Sequence, residues 1–482
     1  MKTKPLKELL DHCDILSGDK NQTISVSSVE YDSRKVKPGS LFVAVRGYNQ
    51  DGHAYINEAV EKGAAALIVE KKAPSVPVPQ FQVADTRKTL PELAAAFYSP
   101  ELDRLTKIGI TGTNGKTTIA YLVKSILNAA SVSCGLIGTI CYEIGEQKKQ
   151  AWNTTPESSD LYRMMYEMQT KGQRACVMEV SSHALSLHRV AGLTFDAAVF
   201  TNLTQDHLDF HGDLETYFSE KQKLFRQLTD EGTAVVNGDD PYGQRLYEQL
   251  HHRKLTYGFG KGVQICVLEY TNSIQGISLK VKTPESNISI ASSLIGKFNI
   301  ENILAAIAVG CALKIDKKFI IEGVKNLGRV AGRLEPVKAG PDRIVVVDYA
   351  HTPDALEKAL LVLKELAKGQ LWVVFGCGGN RDTTKRPLMG AIAQRIADRI
   401  VVTSDNPRFE EPVSIINQIL AGMDRTNVHI EENRREAIAY ALDQSSGNDI
   451  ILVAGKGHED YQEIKGIKYP FDDKKTILEL IS

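Results

Sequence analysis

The chain has little that would tie it to an oxidising compartment, a membrane or a nucleic acid. Its 482 residues include only seven cysteines, scattered and without a Cys-x-x-Cys pair. An odd, dispersed set predicts reduced thiols rather than disulfides or structural zinc. No apolar run is long enough to cross a membrane, and Met1–Leu16 lacks the unbroken apolar stretch of a secretory signal. A cytoplasmic protein with no membrane partner is therefore expected. Net charge is −1, which leaves no basic field to gather nucleic acid. Repeats and low-complexity tracts are also missing. What is there is ordinary globular composition, 43% hydrophobic and 24% charged, in a chain long enough for about three domains.

The first of these, 1–99, reads as a small α/β unit. Ser40–Val45 and Ala65–Glu70 are strand-like, Ile56–Ala64 and Thr89–Tyr98 are helix-like, and Ala73–Pro79 is a Pro-rich surface connection. In 100–331, short apolar runs at Ala175–Val180, Asp196–Leu203 and Thr233–Asn237 alternate with helical patterns. That alternation predicts a doubly wound, mostly parallel sheet. Residues 255–295 alternate more strictly, as antiparallel strands do, and Asn299–Leu313 reads as a helix. In 332–482, four apolar strands (RIVVVDYAH, QLWVVFGCGG, RIVVTSDNP and DIILVAGKG) each run into a polar, Gly-rich or Asp-containing loop. Ligands of open α/β sheets bind where such strands end.

The most informative segment is ITGTNGKTT, Ile110–Thr118, between an apolar run and a helical pattern. Glycines on a strand-to-helix turn let backbone N–H groups close around phosphate, while a Lys reaches the outer phosphates and a hydroxyl meets Mg²⁺. The usual pattern wants a further Gly where Ile110 stands, so the motif is the shorter Gly112-x-x-Gly115-Lys116-Thr117. Gly112, Thr113, Asn114, Gly115, Lys116, Thr117 and Thr118 are the expected ATP-binding loop. Because the turn reads GTNGKT and not Gly-x-Gly-x-x-Gly, a dehydrogenase is disfavoured. A nucleotide switch without catalytic activity is the other competing class.

Other polar residues gather at strand ends. Glu179, ending the apolar run in MEVSSHAL, is costly to bury without a cation; it reads as a Mg²⁺ ligand or as a carboxylate bonded to nearby backbone. Asn202–Asp213, NLTQDHLDFHGD, crowds two His and three Asp, a spacing that resembles a transition-metal site. With Glu179 and Thr117, one metal contact from His207 is the better reading. Lys221 shares a helical face with Tyr217 and Phe225, which by itself predicts an ammonium snorkelling to the rim. Arg381 in CGGNRD and Arg408 in DNPR are suited to bidentate carboxylate pairs, or to ordinary surface ion pairs. AGKGHEDYQ has Gly rather than Ser or Thr after Lys456 and is set aside as a nucleotide site.

Together these motifs resemble the Mur ligases, ATP-dependent amide-bond ligases of peptidoglycan precursor synthesis. The likeness runs in order through YDSRKVKPGSLFVAVRG, TGTNGKTT, NTTPE, MEVSSHAL, NLTQDHLDFHGDLETYFSEK, FNIENILAA, GRLE, VDYAHTPDAL, GCGGNRDTTKRPLMG, SDNPRFEEP and AGKGHEDYQ. It implies an α/β fold of three domains: a UDP-sugar domain at 1–99, a central ATP domain at 100–331 and a Rossmann-like amino-acid domain at 332–482. It implies that ATP phosphorylates the D-Glu side-chain carboxylate of UDP-MurNAc-L-Ala-D-Glu and that an amine, meso-diaminopimelate, attacks the acyl phosphate. L-Lysine, or another amine used by a paralogue, is the alternative. By resemblance Lys116, Lys221 and His207 are catalytic. Thr117, Glu179, His207 and a carbamylated Lys221 serve Mg²⁺, and Asn302, Arg333 and Asp348 lie near ATP. Tyr31, Ser33, Tyr48, Asn49 and Gln50 match the uridine end of the sugar nucleotide. Asn153, Thr154, Thr155, Ser181 and Arg189 match the muramoyl-dipeptide contacts; some relatives carry Gln where this chain has Leu187. Arg381, Asp405, Asn406, Pro407, Arg408, Gly455 and Glu459 match the incoming amino acid. A monomer is expected.

Overall fold

Parallel strands covered on both faces read as unbroken apolar runs, and three sheets are built mainly of such strands. The computed structural model describes residues 3–47, 50–74, 76–98, 101–339 and 343–481. The first sheet is four parallel strands in sequence order, Ser28–Glu30, Ser40–Val43, Ala66–Val69 and Gln80–Gln82. The helix Thr86–Tyr98 packs its Leu90, Leu93 and Phe97 inward.

The second sheet has eleven strands. Its parallel middle runs Cys134–Ile137, Ala175–Glu179, Thr106–Thr111, Phe195–Phe200, Leu228–Asn237 and Arg253–Gly258. The predicted antiparallel strands are Ile265–Ser273, Gly276–Lys282 and Asn287–Ser292, and they extend this same sheet rather than forming another. The last two alternate buried and exposed residues as a half-covered sheet requires. The opposite end is a hairpin, Cys141–Ile144 with Gln147–Gln150, that the sequence pattern does not reveal: QKKQ is exposed throughout. The helix Lys297–Ala312 is apolar nearly all round because it is buried nearly all round.

The third sheet runs Glu335–Lys338, Ile344–Asp348, Ile450–Ala454, Leu371–Phe375, Arg399–Val402 and Val428–Ile430. All but the first strand are parallel, so the loops after Asp348, Phe375, Val402 and Ala454 open on one side.

Polar contacts join the sheets. The Asp160 carboxylate on helix Ser158–Thr170 is fully buried and accepts from Tyr31 Oη at 3.0 Å, Lys35 Nζ at 3.0 Å and Arg163. Asn114 Nδ2 donates to Asp354 Oδ2 at 2.7 Å, tying the phosphate loop to helix Pro353–Leu366 of the third sheet.

Candidate active site

Strand Thr106–Thr111 delivers the chain to a tight turn, and helix Lys116–Ala129 leaves it. The turn needs its glycines. Gly112 has φ 142° and Gly115 φ 90°, and a Cβ would collide with Thr201 Oγ1 at the first and Asn302 Oδ1 at the second. The free N–H groups of the helix start therefore face an open cleft of about 590 Å³. Thr113 to Thr118, Asn302, Arg333 and Asp348 all line it.

Lys116 folds over the turn. Its Nζ donates to Gly112 O at 2.9 Å and Thr113 O at 2.8 Å, and burial holds its pKa below the ordinary lysine value. Thr117 Oγ1 donates to Glu179 Oε2 at 2.9 Å and accepts from Arg333 Nη2 at 3.1 Å. Glu179 is buried at its strand end, where Thr139 supplies two further donors, its N–H to Oε1 at 2.8 Å and its hydroxyl to Oε2 at 3.1 Å. Sequence reasoning missed Thr139, although it follows strand Cys134–Ile137, where the strand-end rule points. The Thr117 hydroxyl and Glu179 carboxylate are hard oxygen donors that converge beside the phosphate loop, which suits Mg²⁺ completed by water and phosphate oxygens.

Lys221 overturns the snorkelling expectation. It is 1% exposed, because helix Leu214–Gln222 presents that face to the underside of the phosphate loop rather than to the rim. Its Nζ donates to Gly112 O at 2.9 Å, the same carbonyl that Lys116 uses, and sits 4.2 Å from the Tyr217 ring centroid. Burial, then the Lys116 charge, pushes its pKa well below the ordinary value, while Asp206 opposes the shift.

Two of the candidate ligands in Asn202–Asp213 have other partners: His211 Nε2 lies 2.9 Å from Ser182 Oγ, and Asp213 caps helix Leu214–Gln222 by accepting from Thr216 N at 2.7 Å. No group of three or more His, Cys, Asp or Glu is placed to hold a metal ion among the described residues. His207 does face the cleft, at φ 54°, with Nε2 3.4 Å from Asp206 Oδ2. Burial works against an ionised Asp206, but His207, His351, Lys116 and Lys385 outweigh it and hold the carboxyl below its usual range. His351 is pushed down to about 4 by burial and by Lys385. Its Nδ1 sits 2.8 Å from Tyr349 O; a carbonyl only accepts, so Nδ1 carries the hydrogen.

The next stretch of the cleft is lined by Asn153, Thr154, Thr155, Ser181 and Arg189. Thr155 Oγ1 donates to Glu179 O at 2.8 Å, and Arg189 donates to Thr155 O at 3.0 Å and Glu157 Oε1 at 2.9 Å. Tyr31, Ser33 and Gln50 lie away from the cleft lining. Tyr31 is engaged by Asp160, Ser33 Oγ donates to Glu58 Oε2 at 2.7 Å, and Gln50 is exposed. Tyr48 and Asn49 fall outside the described residues.

The matches to known proteins cover this whole arrangement. The Mur ligase family catalytic domain matches 25–98, the Mur ligase middle domain 110–310 and the Mur ligase glutamate ligase domain 332–457. The UDP-N-acetylmuramoyl-L-alanyl-D-glutamate--2,6-diaminopimelate ligase of Caldanaerobacter subterraneus subsp. tengcongensis is 42% identical over 97% of this chain and 98% of its own length. The chain belongs to the Mur ligase family. The Chlorobaculum tepidum protein of the same name is 45% identical over 94% of this chain and 92% of its own. A solved structure of a ligase of that name superposes with a TM-score of 0.70 at 31% identity, covering 99% of both chains. MurF from Acinetobacter baumannii superposes at 0.72 with 19% identity over the full length of both, a likeness of fold.

In this Mur ligase the far end of the cleft is built by the loops after Val402 and Ala454. Asp405, Asn406, Arg408, Gly455 and Glu459 line it together with Arg381. Pro407 does not reach the lining; it sits in the loop between Asn406 and Arg408. Arg408, at φ 52°, donates to Gly379 O at 2.7 Å and Glu463 Oε2 at 3.2 Å. Asn406 Nδ2 donates to Glu459 Oε2 at 2.8 Å, and buried Lys456 Nζ reaches both Asn406 Oδ1 and Glu459 Oε2 at 3.2 Å. Asp405 Oδ2 is buried without a hydrogen-bond partner.

Proposed function

We propose that the chain ligates meso-diaminopimelate to UDP-MurNAc-L-Ala-D-Glu at the expense of ATP, through an acyl phosphate. One observation carries the reading. A single cleft runs from the phosphate loop, past Thr155 and Arg189, to an end lined by Arg408, Asn406 and Glu459, whose opposite charges suit a zwitterion. A carboxylate is a poor electrophile until it bears a good leaving group, and moving a phosphoryl group onto it requires negative charge neutralised in place. Lys116 and the helix start face that charge. Thr117 and Glu179, with His207 nearby and a carbamylated Lys221 behind the loop, are the groups we assign to Mg²⁺, which would supply positive charge to neutralise the phosphates. Arg189 and Thr155 would orient the dipeptide. We place the division of labour at 1–99 for the uridine end, with Tyr31, Ser33, Tyr48, Asn49 and Gln50, at 100–331 for ATP and at 332–482 for the amine. The relatives named above carry diaminopimelate in their names. The test is ATP consumption by the purified chain with UDP-MurNAc-L-Ala-D-Glu and a panel of amines. Release of phosphate with diaminopimelate and not with L-lysine is expected; equal turnover of both would overturn the specificity.

Diaminopimelate differs from L-lysine by a second carboxylate, which asks for a cation and further donors. Arg408 offers a guanidinium already aimed by Gly379 and Glu463, and Asp405 and Glu459 can take the ammonium. In the acidic FEEP segment Glu410 is taken up by Arg386, accepting from its Nη1 and Nη2 at 2.8 and 2.9 Å, and Glu411 is exposed. Arg408→Ala is expected to raise the diaminopimelate KM by about 2–3 kcal/mol in free energy, roughly 30- to 150-fold, and to leave the ATP KM unchanged. An unchanged diaminopimelate KM would remove Arg408 from the site.

ATP and amine sites lie on different sheets, and water must be kept from an acyl phosphate. The Asn114–Asp354 and Thr117–Arg333 contacts form the seam across which the halves would close. Small-angle scattering is expected to show compaction with a nonhydrolysable ATP analogue and sugar peptide together; an unchanged radius of gyration would exclude this closure.

A further inference from the structure

Arg434 and Asp473 form the most deeply buried ion pair among the described residues, both side chains 0% exposed, and neither lines the cleft. Arg434 Nε and Nη2 donate to Asp473 Oδ1 and Oδ2 at 2.7 and 2.8 Å. The pair is remote in sequence, 39 residues apart, and each partner opens a helix, Arg434–Gln444 and Asp473–Ile481.

The remaining donors of Arg434 face the two loops of the amine end. Nη2 donates to Ala454 O at 2.9 Å and Nη1 to Ser404 O at 3.4 Å. Ala454 ends the strand that leads into Gly455 and Glu459; Ser404 precedes Asp405, Asn406 and Arg408. Nη1 also lies 4.0 Å from Asp405 Oδ2, the carboxylate oxygen without a hydrogen-bond partner. The two loops touch at this point. A Cβ on Gly455, which has φ 115°, would lie 2.5 Å from Asp405 Oδ2. One planar fork thus spans both strand ends, and Asp473 fixes its angle.

We propose that Arg434, held by Asp473, is a positioning residue for amine recognition: it sets the separation of the 404–408 and 455–459 loops and holds the Asp405 carboxylate at the point where they meet. The inference rests on the proposed diaminopimelate reading. A pair present only for stability would act on the whole fold, and breaking a buried pair by removing one partner is strongly destabilising, whereas replacing both by apolar groups of similar size is often neutral. A lysine keeps the charge beside Asp473 but not the fork.

The experiment is steady-state kinetics on the full chain with Arg434→Lys and with the double variant Arg434→Met/Asp473→Leu. The KM of each of the three substrates is measured alongside the thermal midpoint. Loss of the charged donors to two loop carbonyls is expected to raise the diaminopimelate KM about tenfold in both variants, with the ATP and UDP-MurNAc-L-Ala-D-Glu KM values within about twofold of wild type. A diaminopimelate KM equal to wild type in either folded variant would overturn the inference, as would three KM values rising together. Wild-type chain that releases no phosphate with diaminopimelate would instead sink the underlying reading, so the two failures are told apart.

Discussion

Lys221→Ala is expected to lose ligase activity by on the order of 10²- to 10³-fold in kcat, the loss usual when a group that organises transition-state charge is removed. Short carboxylic acids such as acetate or formate are expected to restore part of it. The geometry gives the reason. Two ammonium groups, Lys116 and Lys221, donate to one carbonyl, Gly112 O. Like charges that close are unfavourable in a buried site, and the pKa of Lys221 is lowered by burial and by Lys116. Above that lowered pKa the amine is neutral and nucleophilic; as pH falls through it, protonation removes the nucleophile. Addition of CO₂ to the neutral amine forms the N–C bond of a carbamate and releases the amine proton to solvent, so that an anion stands where an ammonium would be repelled by Lys116. A small carboxylate in the space left by Lys221→Ala would supply the same charge. Activity measured with and without acetate, and the intact mass of active wild-type enzyme, check this. A fast Ala variant, or active enzyme in which Lys221 carries no added CO₂, would contradict it.

How far this site was legible differs from residue to residue. The phosphate loop and the four strand-end loops of the third sheet could be read because local spacing dictates them: a glycine turn after an apolar run has few other uses. Depth could not be read. Periodicity places Lys221 on the same face as Tyr217, but whether that face meets solvent or the underside of another loop depends on long-range packing. The same limit applies to Asn202–Asp213, where His211 and Asp213 go to Ser182 and to a helix cap. Arg434 and Asp473 look like ordinary first-turn charges of two surface helices; only the fold reveals that they meet, fully buried, behind the amine loops. The hairpin at 141–150 escaped because its exposed edge carries no apolar alternation. Carbamylation of Lys221 followed from family resemblance alone.

Lys116→Ala is expected to reduce ATP-dependent ligation by about 10³-fold or more, since it removes the charge aimed at the transferring phosphoryl group. The fold is expected to survive. Among the described residues the Lys116 ammonium donates to Gly112 O and Thr113 O, and Gly112 O keeps a second donor in Lys221 Nζ. Neighbouring cations do not replace it. Arg333 is already bonded to Thr117 Oγ1, 3.1 Å away, and Lys221 lies behind the loop on the far side of Gly112. The turn itself would stay in place, because Gly112 and Gly115 are fixed by close approach to Thr201 and Asn302 rather than by the lysine. The helix N-terminus would therefore still bind phosphate weakly, so nucleotide affinity should fall less than turnover does. Phosphate release, ADP titration calorimetry and circular dichroism together resolve these effects. Near-normal turnover by a folded Lys116→Ala chain would remove the assignment of this loop to ATP.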